Sequence, residues 1–369
     1  MKVLFDCSNI TVGGGIQVAN SFLRYAFKSS DVKYCFLLSK QAYESLPEAD
    51  KTSVQDLNVI NTNPYTLIPG HKSIQKIRTI ERNFGPDLTF TLFGPAYWKS
   101  KVPHLVGFAR PHYILHHSPF FKIGKNSKLI RYMRFLEFIH NYLFRLNSDF
   151  LFVENESMLN SLQKKYSKRV FYIPNTYNQA FENHVPEEKL KSNSEFRLLT
   201  ISSNYPHKNL DSIPLVSAVL ERKYPDFRFK FIVTIKEDAD KISTDHISYV
   251  GSVAIDECPK LYQDSDAMYL PTLLECFSAS YVEAMYMKLP ILTSDLDFLK
   301  SICSDAALYF DPLNAENIAD HIYSLASDKE KQNSLIEKGK HRLALFGTPK
   351  DRYDSFVKLF LKIIREQSQ

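Results

Sequence analysis

The sequence contains few cysteines and no pattern that would use them. It has 5 cysteines among 369 residues, an odd number, and none of them forms a C-x-x-C pair. These thiols are Cys7, Cys35, Cys258, Cys276 and Cys303. Their spacing argues against a disulfide framework and against a zinc site, so we expect all of them to be reduced.

The sequence also lacks long apolar runs, a strong charge bias and repeats. No uninterrupted apolar run approaches the roughly 18 residues of a membrane span, and Asp6 interrupts the amino-terminal apolar stretch before it can act as a signal peptide. A net charge of +5 is mild for a nucleic-acid binder. No internal repeat or low-complexity tract is present. We therefore expect a globular protein that remains in the cytoplasm.

The composition that is present supports two domains. A length of 369 residues with 44% hydrophobic content is enough for two cores. Short apolar runs alternate with helical patterns, which predicts an α/β protein with mostly parallel sheets. The strands predicted first are Lys2–Asp6, Tyr34–Leu38, Leu57–Ile60, Leu88–Leu92, His104–Phe108, Phe150–Val153 and Val170–Ile173. The later ones are Phe196–Ser202, Phe229–Ile235, Ile247–Val250, Ala267–Leu270, Ile291–Thr293 and Leu308–Phe310.

Composition also suggests the domain boundaries. Residues 1–176 are expected to form a first Rossmann-like domain, because Ile173-Pro174-Asn175 ends the first series of strands. The polar segment 177–195 has the composition of a linker. A second Rossmann-like domain follows over 196–348, and 349–369 carries a final helix. Helices of the second domain are predicted to start near Asn209, Asp256, Ser278 and Asn314. The apolar stripe of the final helix comprises Phe356, Leu359, Phe360 and Ile363.

The stretch Asp266–Asp295 combines a strand, a loop, a helix and another strand. Ala267–Leu270 is a short apolar run that Pro271 breaks, and helical composition extends from Ser278 to Lys288 before Pro290. A loop that leads from the carboxyl end of a strand into a helix is where open α/β sheets bind ligands. This stretch is therefore the predicted binding site.

Two glutamates in this stretch, Glu275 and Glu283, are separated by seven residues. At about 3.6 residues per turn, one carboxylate lies in the loop and the other about one and a half turns into the helix, so both can face one crevice. Between them the N–H groups of Phe277, Ser278 and Ala279 open the helix, where free donors and the dipole favour phosphate. Carboxylates suit sugar and ribose hydroxyls, so the combination predicts a nucleotide-sugar pocket. The alternative is a solvated helix face.

The surrounding pattern resembles a known family. Glu275, seven residues and Glu283, followed by Ala-Met and then Leu-Pro-Ile, are similar to the signature of retaining GT-B glycosyltransferases of family four, the group 1 glycosyltransferases. Tyr205–Asn209, YPHKN, resembles the donor-phosphate loop of that family. The resemblance implies a GT-B fold with two Rossmann-like domains facing a central cleft. It also implies that the final helix crosses back to the first domain.

The resemblance implies transfer of a sugar from a nucleotide diphosphate to an acceptor hydroxyl, with retention and without a metal or other cofactor. Lys208 is the expected cation that neutralises the leaving diphosphate. Glu283 would accept hydrogen bonds from the ribose, and Glu275 would hold the transferred sugar, whether or not it acts as a nucleophile. The family usually has an arginine where this chain has Ser203. His207 or a first-domain residue is expected to compensate for that missing charge.

In the first domain, glycines and histidines carry the expected contacts. Gly14 and Gly15 lack side chains, so the backbone there can approach a phosphate or acceptor closely, although such glycines also make simple turns. In relatives, a histidine after the strand that corresponds to His104–Phe108 contacts the transferred sugar. His112 is the predicted equivalent, and His116-His117 is the alternative. A metal site is less favoured, because no acidic or thiol partner lies nearby in the sequence.

Residues 121–147 form a basic and aromatic segment. The basic residues are Lys122, Lys125, Lys128, Arg131, Arg134 and Arg145, against the single acidic residue Glu137. A helix of this composition can dock on an anionic membrane surface at the inner face of the membrane. The alternative is a long helix with a solvated basic side.

Taken together, these residues predict a cytoplasmic transferase that extends a glycan or a lipid-linked saccharide. Family habits point to bacterial surface polysaccharide, namely O-antigen, capsule or exopolysaccharide. Two alternatives stay open at this stage. One is a GT-B nucleotide-sugar epimerase or phosphorylase, and the other is a degenerate partner subunit without activity.

Overall fold

The computed structural model describes residues 1–64, 67–123, 127–186, 195–239 and 241–367. By their contacts these residues form two compact units. The first unit consists of Met1–Ile114, Arg131–Pro174 and Thr348–Gln369. The second consists of Leu115–Ile130 and Asn175–Gly347.

The first unit contains a parallel sheet of seven strands. In chain order they are β1 (Lys2–Cys7), β2 (Lys33–Ser39), β3 (Leu57–Ile60), β4 (Leu88–Thr91), β5 (His104–Gly107), β6 (Phe150–Val153) and β7 (Arg169–Tyr172). Their spatial order is β3-β2-β1-β4-β5-β6-β7, and every neighbouring pair is parallel. This order reverses between β1 and β4, which is the switch point of a doubly wound sheet.

The second unit repeats this plan with six strands. They are β8 (Phe196–Thr200), β9 (Phe229–Val233), β10 (Ile247–Tyr249), β11 (Ala267–Leu270), β12 (Ile291–Ser294) and β13 (Ala307–Phe310). The spatial order is β10-β9-β8-β11-β12-β13, again with parallel pairs. Its switch point lies between β8 and β11, so the loops after these two strands are the expected ligand-binding loops of this unit.

Helices connect the strands in both units. Among the described residues they are α1 (Gly14–Ala26), α2 (Lys40–Glu44), α3 (Glu48–Ser53), α4 (Leu67–Phe84), α5 (Ser127–Asn147), α6 (Leu159–Tyr166), α7 (Ser212–Lys223), α8 (Cys258–Gln263), α9 (Ala279–Tyr286), α10 (Asp297–Cys303), α11 (Ala315–Ser327), α12 (Lys329–Leu343) and α13 (Pro349–Gln367). No helix in these described ranges contains a stretch long and apolar enough to cross a bilayer.

All thirteen predicted strands are present, and each begins and ends within two residues of its predicted bounds. The prediction works because strands buried on both faces are continuous apolar runs, and β4 and β11 are buried along their whole length. Helix α7 begins at Ser212 rather than near Asn209, because Asn209 has a left-handed backbone with φ 55° after a short turn of 3₁₀ helix.

The final helix α13 lies in the first unit. Five of its side chains are buried in the core that surrounds β1 and α1. They are Tyr353, Phe356, Leu359, Phe360 and Ile363. The predicted apolar stripe of this helix is therefore core, as the spacing of its residues indicates.

The two units differ from the predicted domains in three places. Leu115–Ile130 packs in the second unit although it lies inside the predicted range 1–176. Asn175 begins the main part of the second unit, so the predicted linker 177–195 belongs to that unit where it is described. Phe181, within this linker, is fully buried in a turn of 3₁₀ helix over Gln179–Asn183. Residues 187–194 of the linker lie outside the described residues.

Candidate functional site

Lys208 lies in the loop that follows β8 at the switch point of the second unit. Pro206–Lys208 is a single turn of 3₁₀ helix, and Asn209 ends it in the left-handed conformation. The Asn209 side-chain amide donates to the Pro312 carbonyl at 3.0 Å. The loop is thus anchored directly after its lysine.

Glu275 lies in the loop that follows β11, on the other side of the same switch point. Two donors attach this loop to the lysine loop: the Leu273 N–H donates to the His207 carbonyl at 2.7 Å. The Thr272 hydroxyl donates to the same carbonyl at 3.2 Å. These bonds hold the two loops together and place their charged side chains next to each other.

Lys208 and Glu275 form an ion pair. The Lys208 Nζ lies 2.5 Å from Glu275 Oε1, and the two side chains are only 13% and 5% exposed. A buried carboxylate with one partner retains acceptor capacity on its other oxygen. A ligand with a phosphate and hydroxyls would find a cation and an acceptor side by side here.

Glu283 lies inside α9 and is buried. The Tyr262 hydroxyl donates to its Oε2 at 3.0 Å. Burial raises the pKa of Glu283 to about 7, and the bond from Tyr262 only partly offsets this effect. The carboxyl is therefore poised between its acid and its carboxylate near neutral pH.

The start of α9 has unused donors. Ser278 precedes the helix in an extended conformation, and its side chain does not cap the helix. Among the described residues, the N–H groups of Phe277, Ser278 and Ala279 donate to no other group. Free N–H groups at the positive end of a helix dipole suit an anion.

His207 is one of the two predicted replacements for the charge missing at Ser203, the other being a first-domain residue. Burial lowers the pKa of His207 to about 4, with the nearby charge of Glu275 acting in the opposite direction. The ring is therefore neutral at pH 7 and does not replace the arginine as a cation. It stacks instead on Tyr205, with ring centroids 5.5 Å apart, and makes a T-shaped contact with Phe120, with ring centroids 6.4 Å apart.

His112 lies in the first unit, in a turn of 3₁₀ helix over Pro111–Tyr113. Its ring packs 4.1 Å from that of Tyr113, and His116 and His117 are exposed. The turn is held by Tyr113, whose hydroxyl lies 2.7 Å from His140 Nδ1. His140 was not singled out from the sequence, because a histidine inside an amphipathic helix carries no signal of its own.

The glycine loop of the first unit follows β1 at its switch point. Gly13 has φ 65°, a conformation that favours glycine, and α1 begins at Gly14. A Cβ added at Gly15 would lie 3.0 Å from Ile10 Cγ2, so packing within the chain restricts that position. A Cβ added at Gly14 would meet no atom within 4 Å. Of the two predicted glycines, Gly14 therefore has open space beside it.

The predicted site residues are divided between the two units. Within the second unit it brings Lys208 and Glu275 into contact, with Glu283 and the α9 start on the adjoining loop and helix. Gly14, Gly15 and His112 belong to the first unit. Each unit presents its predicted residues in loops or at a helix start that follow the carboxyl ends of its strands.

Several known proteins are similar to this chain in sequence or in fold. Residues 182–342 match the family model "Glycosyl transferases group 1". The O-antigen chain mannosyltransferase RfbU of Salmonella typhimurium is 24% identical over 157 residues, which cover 41% of this chain and 44% of that protein. The O-antigen chain mannosyltransferase B of Escherichia coli is 30% identical over 93 residues, covering 25% and 24%. The chain thus aligns with less than half of the length of these two relatives.

The fold is shared over the whole chain. The crystal structure of Anabaena HepE in complex with UDP and glucose matches with a TM-score of 0.69 and 11% identity, and the match covers 97% of this chain and 98% of that one. At this identity the likeness concerns the fold, which is GT-B. The chain is therefore similar to the glycosyl transferases group 1 through residues 182–342.

Proposed function

We propose that this protein transfers a sugar from a nucleoside diphosphate sugar to a hydroxyl of a glycan or lipid-linked saccharide, with retention at the anomeric carbon. One observation carries the proposal. The two loops at the switch point of the second unit hold a buried Lys208–Glu275 pair, next to a helix start whose N–H groups are unused. This combination of one cation, free N–H donors and carboxylates suits a diphosphate attached to sugars.

Each group takes one part of the donor. The α9 start and Lys208 would stabilise the charge that develops on the diphosphate as the glycosidic bond breaks. Glu275, released from part of its bond to Lys208, would accept from hydroxyls of the transferred sugar. Glu283 would accept from the ribose, and nucleotide affinity should rise as pH passes about 7 and this carboxyl ionises.

The proposed reaction uses no divalent metal and no cofactor besides the donor. Lys208 supplies the positive charge that a metal supplies in other transferases, so EDTA should leave the rate unchanged. For the first unit we keep Gly14, Gly15 and His112 as the residues that approach the acceptor or the sugar. The names of the similar mannosyltransferases support a role in O-antigen or related surface polysaccharide.

The test is calorimetric binding of UDP, GDP and ADP without metal, to the wild type, to Glu283→Ala and to Glu330→Ala. Glu330 is exposed on α12 and serves as the matched control. We expect one nucleotide to bind, with affinity reduced at least about tenfold in Glu283→Ala and unchanged in Glu330→Ala, as for loss of hydrogen bonds to a charged group. Binding of no nucleotide by the wild type would contradict the proposal and favour the partner-subunit alternative.

We further propose that α5 docks this protein on the cytoplasmic face of an anionic membrane. Its outer side exposes large rings, with Phe138 79%, Phe135 63% and Tyr142 62% exposed. Basic side chains on the same exposed side are Lys128, Arg131, Arg134 and Arg145. Lys125 of the predicted segment lies outside the described residues. Exposed aromatic rings beside basic residues are typical of helices that lie in a membrane interface.

Vesicle co-sedimentation tests this docking, with phosphatidylcholine alone and with phosphatidylcholine plus phosphatidylglycerol. We expect binding only to the anionic vesicles, at about 1 kcal/mol per basic residue near the surface. Arg131→Glu/Arg134→Glu and Phe135→Ser/Phe138→Ser should each abolish it. Lys236→Glu, an exposed charge change in the second unit, is the control. Equal binding by the wild type and the α5 variants would contradict membrane docking by this helix.

A further inference from the structure

Residues Leu115–Ile123, which we call the strap, belong to the second unit although they follow the His112 turn of the first. Leu115 packs against the core of the second unit that includes Leu270 and Tyr281. Phe120 is 1% exposed. A segment of nine residues is thus built into a unit whose own sheet starts much later in the chain, at Phe196.

The strap contacts the loop that carries Glu275. The Ser118 hydroxyl donates to the Leu273 carbonyl at 2.5 Å. The same oxygen accepts from the Phe120 N–H at 3.1 Å and so caps the short helical turn Pro119–Lys122. Ser118 is 8% exposed, so little water competes for these two bonds. One buried hydroxyl therefore fixes both the strap and the backbone of Leu273.

The strap also contacts the loop that carries Lys208. The Phe120 ring meets the His207 ring edge to face, with 77° between the planes. Leu273 connects the strap to this loop. Its carbonyl accepts from the Ser118 hydroxyl, and its N–H donates to the His207 carbonyl. Lys208 is the next residue after His207, and Glu275 lies two residues after Leu273.

We propose that Ser118 and Phe120 are positioning residues that set the Lys208–Glu275 pair for sugar transfer. This inference rests on the function proposed above and adds to it a requirement from the first third of the sequence. Ser118 acts through the Leu273 carbonyl, and Phe120 acts through the His207 ring. Each holds a backbone or ring next to one partner, and displacement of a reacting group by about 1 Å can cost on the order of a hundredfold in rate.

Burial of His207 supports this arrangement. Phe120 contacts the ring in a T-shaped arrangement, and burial lowers the pKa of His207, so the ring is neutral beside Lys208 at pH 7. The charged groups that influence it are Glu275 and Lys208. A protonated ring here would place a second positive charge beside the lysine and compete for Glu275. The strap thus helps to keep Lys208 as the single cation that pairs with Glu275.

The first arm of the test uses Ser118→Ala and the conservative Ser118→Thr, whose hydroxyl can make the same two bonds. We expect kcat to fall about 10- to 100-fold in Ser118→Ala, with nucleotide affinity within twofold of the wild type, because Glu283 and the α9 start are untouched. Ser118→Thr should recover most of the rate. Unchanged kcat in Ser118→Ala, or equal loss of nucleotide binding and rate, would overturn the inference.

The second arm does not depend on activity. NMR titration of the His207 ring should give a pKa near 4 in the wild type, as burial dictates. In Phe120→Ala the pKa should rise toward the ordinary value for histidine, whereas Phe121→Ala is the matched control and should not change it. If His207 titrates identically in wild type and Phe120→Ala, the strap does not cover the ring and the inference fails. A wild type that binds no nucleotide but shows the Phe120 effect would instead contradict only the proposed function.

Discussion

The two units share one sheet plan but use buried charge differently. In the first unit Glu154 and Arg352 form a 2.6 Å ion pair with side chains 7% and 5% exposed. Asp6 is also buried there and accepts from the Ser8 N–H and hydroxyl and from Trp98 Nε1. In the second unit, by contrast, Glu275 and Glu283 each accept one hydrogen bond from the described residues.

This difference separates structural from functional burial. Burial raises the pKa of Asp6 as well, but bonds from Ser8, Trp98 and Thr91 oppose this effect and satisfy most of the acceptor capacity of the carboxyl within its own chain. Among the described residues, Glu275 and Glu283 each keep an oxygen to which no group donates a hydrogen bond, at the switch point of the second sheet, the place where open α/β sheets bind ligands. A buried carboxylate with few partners is costly, and burial raises the pKa of Glu283 accordingly. The cost is explained if a ligand supplies the missing donors.

Breaking the ion pair of the first unit should have the largest effect on stability. Arg352→Ala leaves Glu154 buried without its cation, which should lower the free energy of unfolding by about 3–5 kcal/mol. Glu154→Leu/Arg352→Met removes both charges and should recover most of that loss. Chemical denaturation, followed by a spectroscopic signal from the first unit, measures the free energy of unfolding of the single and the double variant. Equal destabilisation by the single and double variants would show that the unpaired charge of Glu154 does not cause the loss of stability.

Removing the ionisable group of Glu283 should have a smaller, pH-dependent effect. The folded pKa is raised from 4.5 to about 7, so between these values the folded protein binds a proton that the unfolded chain does not. Stability therefore falls as pH rises through this window, by about 3 kcal/mol in total.

Glu283→Gln cannot ionise and should lack this decline. At pH 8 it should be more stable than the wild type by about 3 kcal/mol, and near pH 4.5 the two should be similar. Denaturant unfolding at a series of pH values gives the comparison, with Glu330→Gln as the exposed control. If the free energy of unfolding changes with pH in the same way for wild type and Glu283→Gln, burial does not raise the pKa of this carboxyl.

The glycine loop should give the smallest effects and a contrast within one motif. Gly13→Ala forces a side chain into a backbone with φ 65° and should cost about 1–2 kcal/mol of stability. Gly14→Ala starts α1 with a better helix former in open space and should change stability by less than about 0.5 kcal/mol. If Gly14→Ala nevertheless lowers the transfer activity, the role of Gly14 is to allow close approach of a ligand. Thermal unfolding measures the effect of each variant on stability, and a transfer assay measures its effect on activity.

The sequence was sufficient for the strands and for the order of the elements, because parallel strands and their connecting helices have distinct apolar periods. It was also sufficient to place Lys208 and Glu275 after strands that turned out to flank one switch point. It was not sufficient for the ion pair itself, since nothing local indicates that two side chains 67 residues apart will meet. That contact depends on the sheet order.

Long-range packing explains what was missed. Ser118 and Phe120 have the composition of an ordinary loop, and no local pattern tells which of two cores an aromatic loop residue will join. The neutral state of His207 likewise depends on rings from distant segments. The sequence suggested a possible replacement for the arginine at Ser203, but burial decides the charge of a histidine, and burial is a property of the folded unit.

The place of α13 has a consequence for synthesis of the chain. Phe356, Phe360 and Ile363 complete a core whose first strand is Lys2–Cys7, so that core lacks these side chains until Ile363 has been synthesised. The main part of the second unit ends at Gly347 and can finish folding earlier. The first unit can therefore complete its core only after the main part of the second unit has been synthesised, which reverses the usual order in which domains fold during synthesis.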